Sequence, residues 1–205
     1  METTDRREAP RLYITRHCNT SFNTEGLLQG KQDIPLSEMG RRQAAANIDA
    51  LAGLGLNRIV SSPLLRARQT AFIYAVDLGI PLLTDERLRE LDHGSWEGES
   101  VAELLADSTS GYRQWLENPA SLAIPQGTED VSAAQERVLA CLVEWANASQ
   151  PDHVLFVTHK HIWALVECSV MGWGLDRFTS CIHEGVEPVK VPRSWVARVR
   201  RDPGG

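Results

Sequence analysis

Short apolar runs alternate with longer amphipathic stretches along most of the chain. The apolar runs are rich in β-branched or aromatic residues and short enough for strands, which they predict at residues 12–15, 58–60, 82–83 and 154–157. The longer stretches carry apolar residues at helical spacing and predict helices at about 38–54, 64–78, 101–116, 131–145 and 162–170. Strands that alternate with helices in this way are typical of a mostly parallel sheet covered by helices on both faces.

Capping residues place the ends of the first two predicted helices. Ser37 can cap the first helix and Gly55 can end it. Ser62 can cap the second, with Pro63 at the first helical position and Gly79 at the end. The boundaries are therefore predicted from turn chemistry as well as from periodicity.

The chain shows no internal repeat, low-complexity tract or Ser/Gly linker, so we expect one domain over residues 1–205. The helices predicted at 101–116 and 131–145 form a helical cap insert at about 97–150. The tail at 178–200 is expected to form short strands at an antiparallel edge. The predicted fold class is α/β, a three-layer α/β/α arrangement with a mostly parallel sheet and the cap insert.

Composition and charge mainly exclude other classes of protein. The chain has 205 residues, of which 42% are hydrophobic and 23% charged, as in folded globular proteins. A formal net charge of −6 gives no general attraction to nucleic acid or anionic membranes. No apolar segment is long enough to span a membrane, no signal peptide is evident, and four cysteines are too few for a disulfide scaffold. We therefore expect a cytoplasmic protein without nucleic-acid or membrane partners, with a homodimer left open.

Basic side chains and imidazoles follow three of the predicted strands. Arg16 and His17 follow the first strand, Arg66 lies just beyond the second, and His159 and Lys160 follow the late strand. Ligands of open parallel sheets bind beyond the carboxyl ends of the strands, so we expect these side chains to converge. Guanidinium groups, with the N–H groups at the start of the second predicted helix, suit a tetrahedral dianion. The sequence thus predicts a phosphate site.

Transfer of a phosphoryl group needs a nucleophile and a proton donor. A neutral imidazole can attack phosphorus and divide the reaction into two easier steps. Glu90, in the loop after the third strand, is the candidate proton donor, with Glu86, Asp92 and Glu97 as alternatives nearby.

At this point the chain resembles a known family. The opening block Leu12-Tyr13-Ile14-Thr15-Arg16-His17 is similar to that of the histidine phosphatase superfamily, the phosphoglycerate-mutase-like proteins, and in particular its branch of small phosphatases. Five further blocks follow in the family's order: Asn23 with Gln29-Gly30 and Asp33; Ser62-Pro63-Leu64 with Arg66-Ala67; Leu88-Arg89-Glu90 with Gly94 and Trp96-Glu97-Gly98; Pro125 with Gly127-Thr128-Glu129; and Val157-Thr158-His159.

The resemblance implies an activity and a set of residue roles. The activity would be that of a phosphoric monoester hydrolase that hydrolyses a small-metabolite monophosphate through a phosphohistidine, without metal or cofactor. The implied roles are nucleophile for His17, phosphate ligand for Arg16, Arg66 and His159, proton donor for Glu90 and further pocket contact for Asn23.

The chain departs from the family's pattern beside the expected phosphate. Cys18 stands where the family usually has glycine, Asn19 where it has Glu or Gln, and Lys160-His161 where it has two glycines. We expect Lys160 to add a phosphate-binding cation or to restrict the pocket with its stem. Two alternatives stay open: a non-hydrolytic phosphate-ester-binding or regulatory relative, and a mutase or other biosynthetic chemistry on the same scaffold.

Charge in the cap bears on the substrate. Residues 97–150 contain nine acidic side chains and two arginines, a net of −7. This balance favours a monophosphate on a neutral, cationic or partly apolar leaving group over polyanions.

A zinc site is disfavoured. It would draw on His159, His161, Cys168, Cys181 and His183, whose spacings match no compact zinc motif.

Overall fold

A computed structural model describes residues 10–148 and 152–201, which form a twisted sheet with helices on both faces. The strands are β1 (Arg11–Arg16), β2 (Arg58–Ser61), β3 (Leu82–Thr84), β4 (His153–Thr158) and β5 (Val189–Lys190). Their order across the sheet is β3-β2-β4-β1-β5, with β5 antiparallel to β1 and the other pairs parallel. The predicted fold class is confirmed.

The helices that cover the sheet and carry its connections are α1 (Ser21–Glu25), α2 (Glu38–Ala46), α3 (Ile48–Ala52), α4 (Leu65–Leu78), α5 (Val101–Ala106), α6 (Tyr112–Glu117), α7 (Val131–Ala146), α8 (Lys160–Met171) and α9 (Arg193–Arg201). Short 3₁₀ helices occur at Glu86–Leu88, Gly94–Trp96 and Leu175–Cys181. Within the described ranges, no helix combines the length and apolar character needed to cross a bilayer.

Alternation along the central strands divides the core between the two faces of the sheet. Leu12 and Phe156 point into one cluster, which the apolar sides of α7 and α8 complete. Tyr13 and Leu155 point into the other, where α2, α3 and α4 pack. Successive side chains of a strand face opposite ways, so strands buried on both faces are apolar throughout.

The register of the central strands brings their carboxyl ends together. Arg16 of β1 pairs with Thr158 of β4, and Ser61 of β2 pairs with Val157. The residues that follow each strand therefore start from one edge of the sheet.

Several predicted helix boundaries were wrong for local reasons. Asn47 interrupts the first predicted helix between α2 and α3, although Ser37 caps α2 as predicted. The helix predicted at 101–116 is divided into α5 and α6, because the Asp107 side chain accepts the backbone N–H of Thr109 and Gly111 adopts a left-handed conformation.

The predicted tail is only partly a strand. The antiparallel edge exists as β5, but the 3₁₀ helix Leu175–Cys181 and α9 occupy much of the rest. Helix α9 follows Pro192 and buries Trp195 and Val196 on one side. Adjacent buried residues do not fit the alternation of a half-exposed strand.

Gly40 of α2 lies against the loop that follows β1. A Cβ atom at this position would lie 2.0 Å from the carbonyl oxygen of Asn19, which accepts the backbone N–H of Ser37 at 3.0 Å. The absence of a side chain at residue 40 therefore lets α2 hold this loop closely.

We expect Gly40→Ala to lower the free energy of unfolding by about 1–3 kcal/mol, because the overlap is with backbone. Without the overlap, alanine within a helix would be favoured by about 1 kcal/mol. Gly53→Ala is the control, since Gly53 caps the end of α3 with helical backbone angles and nothing lies within 4 Å of its added Cβ. Urea unfolding midpoints would measure the difference, and equal midpoints for the two variants would contradict this account.

Candidate active site

A cleft of about 220 Å³ lies at the carboxyl edge of the sheet. Six of the seven residues predicted for the site line it: Arg16, His17, Asn23, Arg66, Glu90 and Lys160. The seventh, His159, is fully buried behind the cleft, and its ring centroid lies 5.2 Å from that of His17. The structure thus brings all seven together, Arg16 from the end of β1 and the others from loops and helices that follow different strands.

The imidazole of His17 is held as a neutral ring. Its Nδ1 lies 2.8 Å from the carbonyl oxygen of Cys18 and donates to it, because a carbonyl can only accept. The lone pair is therefore on Nε2, which accepts from Arg66 Nε at 3.2 Å. Burial, with the nearby charges of Arg66 and Arg16, holds the pKa of His17 well below its usual value.

Arg66 lies in the first turns of α4 and is almost fully buried. Its two terminal nitrogens donate to the carbonyl oxygens of Gln32 and Gly30, both at 2.7 Å. Burial lowers its pKa to about 10, so the group stays charged at neutral pH. The loop between α1 and α2, which contains Gly30 and Gln32, thus holds the Arg66 guanidinium beside His17.

Arg16 meets an acidic residue that the sequence analysis did not single out. Its Nη1 donates to Glu184 Oε2 at 2.8 Å, and the other oxygen of Glu184 pairs with Lys160 Nζ. No local pattern marks Glu184, because it lies in the irregular tail and reaches the cleft only through the tertiary fold.

His159 is also neutral. Its Nε2 shares a 2.7 Å hydrogen bond with the Ser62 hydroxyl, while Nδ1 is buried without a partner in the described part of the chain. Burial, with Arg66 and His17 nearby, holds the pKa of His159 well below its usual value. Its Nδ1 is thus an unsatisfied polar atom directly behind the wall of the cleft.

The predicted start of the second helix at Pro63 was wrong by two residues, and the N–H groups of Leu64 and Leu65 are not free to bind a ligand. Helix α4 begins at Leu65, because Leu64 is still extended. Leu65 N donates to Asp33 Oδ1 at 2.5 Å, and Leu64 N donates to Ser62 Oγ at 3.3 Å. Pro63 has no N–H to offer. These groups are thus engaged by side chains of the protein.

Among the four acids considered for proton transfer, Glu90 alone lines the cleft. It is buried; its Oε1 accepts from Leu91 N at 3.0 Å and its Oε2 from His161 N at 3.4 Å. The arrangement leaves the carboxyl group facing the cleft on a fixed backbone.

The other three acids have different surroundings. Asp92 accepts from Lys31 Nζ, from Gly94 N and from Thr128; burial opposes its ionisation, yet these hydrogen bonds lower its pKa. Glu97 accepts the backbone N–H groups of Lys31 and His93. Glu86 is exposed in a 3₁₀ helix. Asp92 and Glu97 therefore hold loops together.

Cys18, one of the departures from the family's usual pattern named above, does not line the cleft. Its side chain is fully buried against α4, with Sγ 3.6 Å from the hydroxyl of Tyr74. Its backbone N–H donates to Thr70 Oγ1 at 3.0 Å. The extra side chain is thus accommodated by the core.

His161 is buried among rings beside Glu90. Its ring centroid lies 4.7 Å from that of His93, 5.4 Å from Trp115 and 5.7 Å from Phe178. Burial keeps the pKa values of both His161 and His93 below the usual value. His161 and His93 therefore form a neutral wall of the cleft.

The side chains considered for zinc have other contacts. His183 pairs with Glu167 and stacks on Trp163, while the Cys168 and Cys181 sulfurs lie 3.4 Å apart. Over residues 10–148 and 152–201, no group of three or more His, Cys, Asp or Glu side chains is placed to hold a metal ion.

The acidic side chains of the predicted cap do not line the cleft. Of the described part of this segment, residues 97–148, only Val101 and Tyr112 reach it. Glu129 instead pairs with Arg137, and Asp130 caps α7. The charge of the cap was used to predict the leaving group of the substrate, but none of the nine acidic side chains lines the cleft.

Comparison with known proteins identifies the family of this chain. The family model of the histidine phosphatase superfamily, branch 1, matches residues 12–190. Phosphoserine phosphatase 1 of Hydrogenobacter thermophilus is 31% identical, covering 83% of this chain and 80% of its own. Glucosyl-3-phosphoglycerate phosphatase of Mycobacterium tuberculosis is 36% identical over 80% of this chain and 76% of its own. A probable phosphoglycerate mutase of Escherichia coli is 32% identical over 78% of this chain and 74% of its own.

The fold is also similar to that of a solved structure. A mycobacterial glucosyl-3-phosphoglycerate phosphatase in complex with VO3 has a TM-score of 0.75 and 29% identity, covering 89% of this chain and 90% of its own. Two of the three curated relatives are named as phosphatases, the class of enzyme that the sequence predicts. The chain belongs to branch 1 of the histidine phosphatase superfamily.

Proposed function

We propose that the protein is a metal-independent phosphomonoesterase that hydrolyses a small-metabolite monophosphate through a phosphohistidine at His17. The observation that carries this proposal is the neutral imidazole of His17, whose Nε2 lone pair faces Arg66. A neutral imidazole is nucleophilic, and adjacent guanidinium groups stabilise the charge of the transferring phosphoryl group.

Binding comes first. The phosphate of the ester takes hydrogen bonds from Arg16, Arg66 and His159, and it displaces the Arg66 Nε–H from His17 Nε2. The Asn23 carboxamide oxygen already accepts from the backbone N–H and hydroxyl of Thr20, so Asn23 contacts a ligand through its nitrogen. Lys160 stands at the same cleft, held by Glu184.

Two displacements complete the reaction. His17 Nε2 forms a bond to phosphorus while the P–O bond to the leaving group breaks, and Glu90 gives its proton to the leaving oxygen. Water then attacks the phosphorus, Glu90 takes a proton from it, and the P–N bond breaks. The products are an alcohol and inorganic phosphate, with His17 neutral again.

The test is phosphate release from p-nitrophenyl phosphate and a panel of metabolite monophosphates in the presence of EDTA. We expect one inorganic phosphate for each alcohol formed, at a rate that EDTA leaves unchanged. An isomerised ester without free phosphate would establish a mutase instead. Thermal stabilisation by phosphate without turnover would establish a binding protein, and activity that EDTA removes and a divalent metal restores would refute metal independence.

A further inference from the structure

The cleft carries one charged pair that the proposed chemistry does not use. Outside Arg16, Arg66 and Glu90, the charged groups among the described lining residues are Lys160 and Glu184. The histidines that line the cleft are neutral, and much of the remaining wall is apolar. Lys160 and Glu184 can therefore attract or repel a charged group on the leaving group of the substrate.

Glu184 bridges two cations. One oxygen accepts from Arg16 Nη1 at 2.8 Å, and the other pairs with Lys160 Nζ. Partial burial opposes ionisation, but the hydrogen bond from Lys160 and the charge of Arg16 lower the pKa of Glu184. The carboxylate is therefore ionised at neutral pH. It accepts a hydrogen bond from the Arg16 guanidinium, which is also a proposed ligand of the substrate phosphate.

The backbone on both sides of Glu184 is anchored. His183 pairs with Glu167, and the carbonyl oxygen of Val186 accepts from Thr15 Oγ1 at 2.6 Å and from Asn47 Nδ2 at 3.1 Å. The Glu184 side chain itself is 69% exposed and has room to turn. Because the backbone is fixed and the carboxylate can turn, Glu184 can break its ion pair with Arg16 when a phosphate binds there. It can keep its ion pair with Lys160 at the same time.

We propose that Glu184 is a specificity-determining residue that favours leaving groups carrying an ammonium or a hydroxyl and disfavours those carrying a carboxylate. This inference rests on the proposed phosphatase function. Once the phosphate occupies Arg16, Glu184 neutralises Lys160 and presents its carboxylate to the substituent on the ester. A cationic or hydrogen-bond-donating substituent is attracted, whereas a carboxylate meets a like charge and finds no free lysine.

The test uses three two-carbon monophosphates that differ only in their end group: phosphoethanolamine, 2-hydroxyethyl phosphate and phosphoglycolate. For Glu184→Gln we expect kcat/KM for phosphoglycolate to rise about fivefold and that for phosphoethanolamine to fall about fivefold, the effect of one partly exposed charge pair. Inorganic phosphate should also inhibit this variant more strongly, because the competitor at Arg16 is gone. Glu187→Gln, which removes an exposed charge three residues away, should match the wild type.

The outcomes separate this inference from the proposed function. An active enzyme whose end-group preference is the same in wild type, Glu184→Gln and Glu187→Gln would overturn the specificity role alone. If no phosphate is released by any of them, the proposed function fails. The affinities of the three unhydrolysed esters, measured by thermal stabilisation, then test Glu184 directly, and equal ratios in the three proteins would overturn its role.

Discussion

Replacing His17 with alanine is expected to abolish phosphate release, with a loss on the order of 10⁴-fold or more. The change removes the Nε2 lone pair that accepts from Arg66, and no other described imidazole lines the cleft with the same contact. His159 cannot substitute, because its Nε2 is engaged by Ser62 and its ring lies behind the cleft. The measurement is the initial rate of phosphate release, together with covalent labelling by a radioactive ester.

Labelling distinguishes the nucleophile from a residue that only binds. Wild-type protein quenched during turnover should carry a phosphoryl group that survives base and is lost in acid, as expected for a P–N bond, and His17→Ala should carry none. Added imidazole should restore part of the turnover, because it fits the space left by the ring. A variant that retains full activity, or labelling that persists without His17, would refute the mechanism.

Glu90→Gln is expected to slow hydrolysis of alkyl monophosphates by about 10²–10⁴-fold, because the alkoxide leaving group then departs without a proton. Formation of the phosphohistidine from p-nitrophenyl phosphate should be much less affected, since nitrophenolate needs no protonation. Hydrolysis of the intermediate also uses Glu90, so this substrate should give a burst of nitrophenolate and accumulated phospho-His17.

The control for Glu90 is Glu86→Gln. Glu86 belongs to the same connection between β3 and α5 but is exposed and does not line the cleft, so its rates should match the wild type. Rapid-mixing measurements of nitrophenolate with both variants make the comparison. Equal losses on alkyl and aryl esters, without a burst, would remove Glu90 from the role of proton donor.

The sequence was sufficient to predict the frame of the site. Arg16 is the last residue of β1, and His17 and His159 directly follow β1 and β4, whose apolar patterns are unambiguous. Parallel strands place their carboxyl ends at one edge of the sheet. The position of Arg66 at the same edge could also be predicted, because α4 begins close to the end of β2. These placements depend on local patterns and on one general property of parallel sheets.

The contacts that complete the site depend on tertiary structure. Glu184 is separated from Arg16 by 168 residues, and no periodicity in the tail indicates that it returns to β1. The carboxylate of Asp33 at the start of α4 likewise replaces the cap that Ser62-Pro63 suggested, because the first loop folds back over this helix. A local pattern cannot show which distant side chain will satisfy a given N–H or guanidinium group.

The position of β4 in the sheet has a consequence for synthesis of the protein. This strand comes after more than two thirds of the chain, yet it lies between β1 and β2, which do not pair with each other. While the ribosome is still making residues 62–152, β1 lacks its parallel neighbour and β2 can pair only with β3. A nascent chain of this length exposes unpaired apolar strands, which favour association with other chains or with chaperones. The sheet, and with it the cleft at its carboxyl edge, can assemble only after residues 153–158 have left the ribosome.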